Sequence, residues 1–484
     1  MNLLTIVHFL GLLVSLLGGI MAVPATLSLI QGENASGAMW TATVITVVTG
    51  ALMFLLTRSQ RQKLNQREVF LLVVASWVAA TAFGALPYYF SGALPNYLDS
   101  FFEAMSGFTT TGATVMTSIG DQAHGVLLWR SLTQWLGGMG IIMLFVALFP
   151  LLGIGAAQMA DAEMSGESGE RMTSRIRETA KALWLIYVVL TLICFGALVI
   201  SGLPVFDSLN ISLTTMPTGG FAPVDFSIEE YGHVPAQLVV NVFMYIGGIN
   251  FALLYFMFVK RRPGKLFRNP EFQLYSGILA LSALFVTFNL MSNNIYDNLS
   301  EALREGAFSV TTIMTSTGYT GANYDEWPAF SRALLLMLMV VGGSAGSTAG
   351  GLKVIRLLVL IKYSYRRVIL AFNPHAVIPL KVGGTVLPEK TVSRIMSLTV
   401  LYLAVLWSGF LIMSALGLDI DTALSSVVSA VSNIGPGLGG VGPYENFAWI
   451  PDLGKGVLIV MMLAGRLEFF TLLVLFVPAF WRRY

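Results

Sequence analysis

Four short segments of the chain repeat a pattern of residues that suits the binding of a dehydrated cation. Each begins with an acid, continues through small and apolar residues, and reaches a glycine beside Thr, Ser or Asn. Glycine lets successive carbonyl groups face the same way, and carbonyl rings can replace the hydration shell of an ion. The segments predict a filter for monovalent cations at Thr110, Thr111 and Gly112, at Pro217, Thr218 and Gly219, at Ser316, Thr317 and Gly318, and at Asn433, Ile434 and Gly435.

The acids that open these segments are evenly spaced from the glycines. Asp99, Asp207, Glu305 and Asp421 precede Gly112, Gly219, Gly318 and Gly435 by 13, 12, 13 and 14 residues. This spacing is typical of a half-membrane helix that starts with a carboxylate, which satisfies free amides and complements the positive helix end. The negative helix ends would then converge on a cation in the middle of the bilayer. One segment alone would indicate an extracellular glycine turn, but four at matched spacing favour a filter.

The composition requires that these segments lie in a membrane. The chain has 484 residues, of which 55% are hydrophobic and 11% charged, and its mean hydropathy is +0.74. Ten apolar stretches are long enough to span a bilayer as helices, and their length excludes an outer-membrane barrel. They lie near residues 2–30, 38–57, 68–90, 125–152, 181–202, 235–259, 271–292, 331–361, 395–417 and 456–481.

Basic residues cluster on one side of these predicted spans. They lie at Arg58, Arg61, Lys63 and Arg67, at Arg171, Arg175, Arg177 and Lys181, at Lys260, Arg261, Arg262, Lys265 and Arg268, in the loop 353–394, and at Arg482 and Arg483. Because Lys and Arg near helix ends stay in the cytoplasm, we expect a multi-pass inner-membrane protein with both termini cytoplasmic. The first apolar run has no basic region before it and no cleavage site, which indicates a retained helix and not a signal peptide.

These features predict an all-α membrane protein with four pseudo-symmetric membrane-pore-membrane repeats around one pore. The repeats would span 67–152, 181–260, 271–370 and 394–484, and two additional transmembrane helices would occupy 1–66. The single cysteine, Cys194, excludes a disulfide framework and a cysteine-based metal site.

A gate is predicted below the filter. Small-residue pairs follow each segment at Gly137-Gly138, Gly247-Gly248, Gly342-Gly343 and Ala464-Gly465. In the third repeat a glycine-rich run interrupts the helix, and we predict a flexible intramembrane loop over 342–351 with gating residues Gly342, Gly343, Ser344, Gly346 and Gly350. In the fourth, Arg466 follows the pair near the middle of a span, where a charge is expensive and usually functional. Arg466 would be a positive barrier below the filter. The alternatives are close helix packing for the pairs and an ion pair with another helix for Arg466.

Enzyme motifs in the chain lack their structural context. Residues 342–346 match G-x-S-x-G, but neither the strand-turn-helix nor a histidine base at that depth is expected, so an intramembrane serine hydrolase is disfavoured. Residues 435–440 match G-x-G-x-x-G without a βαβ unit, so no dinucleotide is expected there. We predict that the chain is not an enzyme and carries no cofactor.

The segments at 110–114, 217–221, 316–320 and 433–437, with the loop at 342–351 and Ala464-Gly465-Arg466, resemble the bacterial Trk/Ktr/HKT potassium transporters. The two helices before residue 67 are similar to the TrkH-type subunit. The resemblance implies potassium as the ion at the filter residues and a homodimer with one pore per protomer. It also implies a TrkA-type cytoplasmic ring that binds the nucleotide and docks on the basic segment 353–394. Positive-inside bias alone would explain the charge of that segment but not its length.

The mode of transport stays open between a gated channel and a symporter driven by protons or sodium. Few membrane carboxylates could relay a proton, Glu468 being the plainest, which favours channel-like conduction. A non-conducting membrane scaffold is a third, distant alternative. Among partners we expect potassium, the lipid membrane and the cytoplasmic ring, and no nucleic acid.

Overall fold

A computed structural model describes residues 3–57, 65–152 and 169–482 of the chain. Within these ranges the regular structure is almost entirely helical, and the only strands are the two-residue β1 (Lys381–Val382) and β2 (Thr385–Val386), which form a small hairpin. The predicted basic positions Arg58, Arg61, Lys63 and Arg483 lie outside the described residues.

The chain opens with a helical hairpin of α1 (Leu3–Ile30) and α2 (Ser36–Leu56). The two helices approach closely at small residues: a Cβ added to Gly50 would collide with the backbone of Ser15. At the turn, the Glu33 carboxylate accepts hydrogen bonds from the backbone amides of His124 and Gly125 at 2.6 and 3.3 Å. Partial burial acts to raise the pKa of Glu33, but hydrogen bonds that include these two outweigh burial and hold it below its ordinary value.

The rest of the chain repeats an order of outer helix, short helix and inner helix. The first set is α3 (Gln66–Gly84), α4 (Leu86–Ser91), α5 (Tyr97–Phe108) and α6 (His124–Leu152); the second is α7 (Gly169–Ile200), α8 (Val205–Thr215), α9 (Val234–Gly247) and α10 (Phe251–Phe258). After α11 (Gly264–Phe267) come α12 (Pro270–Ser292), α13 (Leu299–Met314), α14 (Ala329–Val341) and α15 (Val354–Phe372). The last set is α16 (Glu389–Ala415), α17 (Ile420–Ser432), α18 (Asp452–Arg466), α19 (Phe470–Leu473) and α20 (Pro478–Trp481). Single 3₁₀ turns lie at Glu229–Tyr231, Tyr324–Glu326, Gly439–Val441 and Val474–Phe476.

Six helical spans of the described residues are long and apolar enough to cross a bilayer: Leu3–Ile30, Ser36–Leu56, Arg67–Ser91, Glu178–Ile200, Pro270–Ser292 and Glu389–Ala415. Two bent pairs of helices also qualify when each is taken as one span. The predicted all-α membrane fold is therefore confirmed.

Three of the four inner helices are broken. Two of the breaks correct the prediction of continuous spans at 235–259 and 456–481, whereas the interruption within 331–361 was predicted as the loop 342–351. The α9–α10 pair is bent by 101°, and α18 and the helical turns after it by 112°. Helix α14 ends at Val341, and the chain is non-helical until Val354. The breaks have local causes: Asn250 caps α10 through Ala252 N at 2.8 Å, and Glu468 and Phe469 both have φ of 56°.

The short helices begin differently from the prediction. Asn96, Asn298 and Asp419 cap α5, α13 and α17 with their side chains, while Asp99 and Asp421 lie in the first turn, where a negative charge still complements the helix dipole. Glu305 does not open its helix, because α13 starts at Leu299. It lies further along, where Gln237 and Arg304 donate to it at 2.8 Å each.

The segment 353–394 is more ordered than the loop that was predicted. It contains helix α15, the hairpin β1–β2 and the first turn of α16. Val359, Leu380, Val392 and Ile395 form a small buried cluster that joins these elements. The segment therefore presents its basic residues from a folded unit.

Candidate cation site

The four glycine segments lie side by side in a closed ring. A Cβ atom built on one glycine of each segment would lie less than 3.0 Å from a backbone carbonyl oxygen of the next segment. In chain order, Gly112 faces the carbonyl of Gly219, Gly220 that of Thr317, Gly318 that of Ile434, and Gly435 that of Thr111. The last contact returns to the first segment, so the order is cyclic. Only glycine fits at these positions, and four backbone carbonyls from four parts of the chain line one ring.

The backbone conformation repeats in all four segments. A polar residue with left-handed φ comes first: Thr110 at 53°, Thr218 at 54°, Ser316 at 53° and Asn433 at 54°. Two residues later stands a glycine with positive φ: Gly112 at 86°, Gly220 at 78°, Gly318 at 80° and Gly435 at 107°. Non-glycine residues rarely adopt such angles. Their recurrence in one register shows that the four segments share one local structure.

This register corrects the prediction for the second segment by one residue. Thr218 and Gly220 occupy the positions of Thr110 and Gly112, whereas the predicted trio began at Pro217 and ended at Gly219. Gly219 holds the middle position, where its carbonyl accepts a hydrogen bond from Gln134 at 2.6 Å. The sequence signal for the right choice was the spacing, since Gly220 lies 13 residues after its acid, as in the first and third segments.

The ring sits at the carboxyl ends of the four short helices. Helices α5, α8, α13 and α17 end at Phe108, Thr215, Met314 and Ser432, directly before the segments. Each end carries the negative pole of its helix dipole, so the ring is a favourable place for a cation. Buried hydroxyl pairs brace the turns: Thr109 and Thr111 lie 2.7 Å apart, and so do Thr315 and Thr317.

A cavity of about 290 Å³ opens above the ring, on the side where the chain continues after the four ring glycines. Its floor is formed by Gly112, Gly220, Gly318 and Gly435 together. Asp225 and Glu445 are among its lining residues, so the entrance carries negative charge. The cavity gives an ion access to the four ring glycines from one side.

The glycine-rich run 342–351 lies directly below the ring. The Thr348 hydroxyl lies 3.1 Å from the carbonyl oxygens of both Met216 and Gly247. Gly350 N donates to the Ser316 hydroxyl at 2.5 Å, and a Cβ on Gly350 would lie less than 3.0 Å from the carbonyl oxygen of Ser432. The run therefore touches three of the four segments at their inner ends.

The predicted gating residues fold this run into a compact loop. Gly342 and Gly346 have φ of 71° and 72°, and a Cβ on Gly342 would collide with the carbonyl of Gly350. Ser344 N donates to the Gly248 carbonyl at 3.0 Å, at the break between α9 and α10. Gly343 also packs against this break, since its Cβ would lie 3.2 Å from the same oxygen.

Arg466, the last residue of α18, fastens the loop 342–351. Its side chain is 3% exposed and donates from Nη1 to the Thr348 carbonyl at 2.8 Å and from Nη2 to the Gly137 carbonyl at 3.1 Å. Among the ion pairs of the described residues none includes Arg466, and Glu468 pairs with Arg356. The alternative of an interhelical ion pair for Arg466 is therefore not what the structure contains.

The small-residue pairs serve the close approach of inner helices to the ring. A Cβ on Gly137 would lie less than 3.0 Å from the carbonyl oxygen of Phe108, and a Cβ on Gly465 equally close to that of Val431. Each of these carbonyls belongs to the residue two positions before the left-handed residue of its segment. Gly465 is thus the counterpart of Gly137, and the predicted pairing of Ala464 with Gly137 is one residue early. Arg466 falls at the position that Gly138 holds in the first repeat.

The comparisons with known proteins agree with this geometry. A family model described as TrkH, cation transport protein, matches residues 36–483. The chain belongs to the TrkH family. It is 39% identical over 485 residues to the Trk system potassium uptake protein TrkH of Salmonella typhimurium and 38% identical to that of Escherichia coli, with full coverage of both chains. The crystal structure of the potassium transporter TrkH from Vibrio parahaemolyticus matches with a TM-score of 0.92 at 36% identity, again over both full chains.

The TrkH family consists of transporters, so the chain is a multi-pass membrane transport protein and not an enzyme. The predicted TrkH-type membership of the Trk/Ktr/HKT transporters is confirmed.

Sequence reasoning missed a buried network that braces the ring of this TrkH-family chain. Arg130 on α6 pairs with Glu103 on α5 at 2.7 Å, and both side chains are almost fully buried. Glu103 also accepts from the Thr114 hydroxyl and from Val115 N at 3.0 Å, and the Arg130 guanidinium lies 3.6 Å from the ring centre of Phe221. The only sequence signal was a charge within an apolar helix, because the partners come from distant parts of the chain.

Proposed function

We propose that this chain takes up potassium across the bacterial inner membrane by conducting it through the ring of four segments. The observation that carries the proposal is the cyclic set of contacts in which each ring glycine abuts a carbonyl of the next segment. Relatives named Trk system potassium uptake protein support potassium as the ion.

Neutral carbonyl oxygens in a buried ring suit a large monovalent cation, because they replace hydration without the charge that a divalent ion requires. Only one such glycine stands in each segment, and the middle residues differ: Thr111, Gly219, Thr317 and Ile434. We therefore expect moderate discrimination, with rubidium, caesium and some sodium also passing.

The loop 342–351 and Arg466 form the gate of this proposed pathway. The loop contacts the inner ends of three segments, and the guanidinium places a positive charge beside it. A TrkA-type cytoplasmic ring would bind the nucleotide and move the gate, docking on the basic segment 353–394 of a homodimer with one pore per protomer. This chain itself would carry no nucleotide.

Conduction is favoured over coupled symport by the position of Glu468. This carboxylate, the plainest candidate for a proton relay, forms an ion pair with Arg356 and contributes to no described acidic chain across the membrane. A proton- or sodium-coupled symporter is the second candidate, and it predicts uptake that follows those gradients.

The test is rubidium uptake into liposomes that contain the purified chain, driven by trapped potassium, with sodium or potassium competing outside. A Gly318→Ser variant forces a side chain against the Ile434 carbonyl. Gly417→Ser is its matched control, because Gly417 has φ of 93° but no atom within 4 Å of its Cβ position. Both variants carry backbone strain, and only the first reaches the ring.

Uptake blocked by potassium more than by sodium, with that preference lost in Gly318→Ser and kept in Gly417→Ser, supports the proposal. Equal preference in both variants would contradict a filter at this ring. Uptake that appears only with an imposed proton or sodium gradient would favour the symporter. Docking of the cytoplasmic ring without flux under any gradient would favour the scaffold.

A further inference from the structure

The left-handed position of each segment carries a side chain with an oxygen atom. The residues are Thr110, Thr218, Ser316 and Asn433, and all four are at least 99% buried. A left-handed φ is costly for any non-glycine residue and most costly for a β-branched one, so glycine would relieve strain at each place. Strained residues of this kind are kept where their side chains have a function. Four oxygens in one register at the inner end of the ring are therefore a candidate ligand set.

Two of these oxygens are engaged by the loop 342–351. The Ser316 hydroxyl accepts the hydrogen bond from Gly350 N at 2.5 Å. The Thr218 hydroxyl donates either to the Thr348 hydroxyl at 3.2 Å or to its neighbouring Pro217 carbonyl at 2.6 Å, so Thr348 lies beside it without using its lone pairs. The loop thus uses the Ser316 oxygen, which a cation at this level would need, and fills the space beside Thr218.

A third oxygen is buried and unused. Asn433 donates from Nδ2 to the Thr111 hydroxyl and to the Met462 carbonyl, each at 2.9 Å. Its Oδ1 is buried and accepts no hydrogen bond from the described residues. Asn433 lines a small cavity under the ring together with Gly350, Glu468 and three basic residues, Lys353, Arg356 and Arg466. A buried acceptor without a donor is unusual and indicates a missing partner. The three basic side chains disfavour a cation there while the loop is closed, so this oxygen would become a cation ligand only after the loop has moved.

We propose that these four side chains form an inner cation site that exists only when the loop has moved away, so that the loop and a cation compete for the Ser316 oxygen and for the space beside the Thr218 hydroxyl. The inference rests on the pore proposed above and adds a site at its inner end. The ligand is a monovalent cation of the size of potassium or rubidium, because the oxygens are neutral and no carboxylate is among them. Loop closure also brings the Arg466 guanidinium to Thr348, which repels a cation at the same level.

Competition of this kind couples occupancy to gating in both directions. If closure removes ligands from the site, then a bound cation must shift the loop toward its displaced position by the same factor. Coupling between two sites usually changes an equilibrium roughly 5- to 150-fold. Potassium would thus promote the opening of its own path.

The loop can be followed with a cysteine, because the chain's single cysteine, Cys194, is buried and can be replaced by alanine. Ser347 lies in the loop and is 3% exposed. In a Cys194→Ala, Ser347→Cys chain in nanodiscs, the rate of modification by a methanethiosulfonate reports displacement of the loop. The rate is compared in potassium chloride, rubidium chloride and N-methylglucamine chloride at equal ionic strength.

We expect potassium and rubidium to raise the rate by roughly 5- to 150-fold over N-methylglucamine. Adding Ser316→Ala should raise the rate without potassium, because the bond from Gly350 is lost, and should shrink the response to potassium, because a ligand is lost. Ser309→Ala is the matched control, since this serine lies on α13, the helix that leads into the Ser316 segment, is buried, and has a hydroxyl without a described partner. It should behave like the parent.

A rate that does not depend on potassium in the parent chain overturns the inference, and this result needs no folded Ser316 variant. A potassium response of undiminished size in Ser316→Ala overturns it as well. Rubidium uptake by the same parent chain separates the two proposals: uptake with a potassium-independent loop rejects only the inner site, whereas absence of uptake under every gradient rejects the pore.

Discussion

Removal of the Arg466 side-chain charge should open the pathway in the absence of any partner. Of its two hydrogen bonds, only that from Nη1 to the Thr348 carbonyl reaches the loop; the other goes to Gly137 on α6. A hydrogen bond from a charged donor contributes about 1.5–3 kcal/mol. Its loss should shift the balance from closed to open loop by about 10- to 150-fold, since each 1.4 kcal/mol is about a factor of ten.

The assay is rubidium uptake into liposomes that contain the chain alone. We expect Arg466→Met, which keeps the length of the stem, to raise uptake by about one to two orders of magnitude. Arg466→Lys should be intermediate, because an ammonium keeps the charge but lacks the planar fork that reaches two carbonyls. Arg332→Met is the control: Arg332 is partly exposed and its ion pair with Asp325 is long, at 3.8 Å.

If the Arg466→Met variant folds normally and its uptake equals that of the parent, then Arg466 neither holds the loop closed nor acts as a positive barrier to cations. A rise of the same size in Arg332→Met would show that the effect comes from a lost surface charge and not from the gate.

Three further predictions concern other parts of the chain. Glu103→Gln leaves the buried Arg130 charge uncompensated and should lower stability by about 3–5 kcal/mol, seen as a lower midpoint of thermal unfolding in detergent, with part of the loss recovered by adding Arg130→Met. Because the pKa of Glu33 is lowered in the folded state, its contribution to stability is present above the ordinary value of 4.5 and is lost as pH falls below it. The unfolding midpoint should therefore fall more steeply with acid in the parent than in Glu33→Gln; parallel curves would contradict this. Arg367→Glu with Lys390→Glu should weaken binding of the cytoplasmic partner most strongly at low salt, as measured by surface plasmon resonance, and binding that is unchanged there would place the docking surface elsewhere.

The sequence predicted the fold class well because the signals for it are local. Long apolar runs require helices that satisfy their own backbone in lipid, and no distant residue alters that requirement. The positions of the four segments followed from spacing along single short helices. The prediction of straight inner spans at 235–259 and 456–481 was wrong, because hydropathy indicates that a stretch is apolar but not whether the helix bends within it. Asn250 and Glu468, which mark the breaks, look like ordinary polar interruptions in the sequence.

By itself, the sequence determined a polytopic helical membrane protein of the Trk/Ktr/HKT type, with glycine segments at matched spacing and an arginine inside its last span. Only the tertiary structure decided which carbonyl each ring glycine meets, such as that of Thr317 in the next segment for Gly220. It likewise decided that Glu103 meets Arg130 and that Thr348 lies between Met216 and Arg466. These contacts join residues far apart in the chain, and no local pattern of residue types encodes which distant carbonyl or charge a side chain will meet.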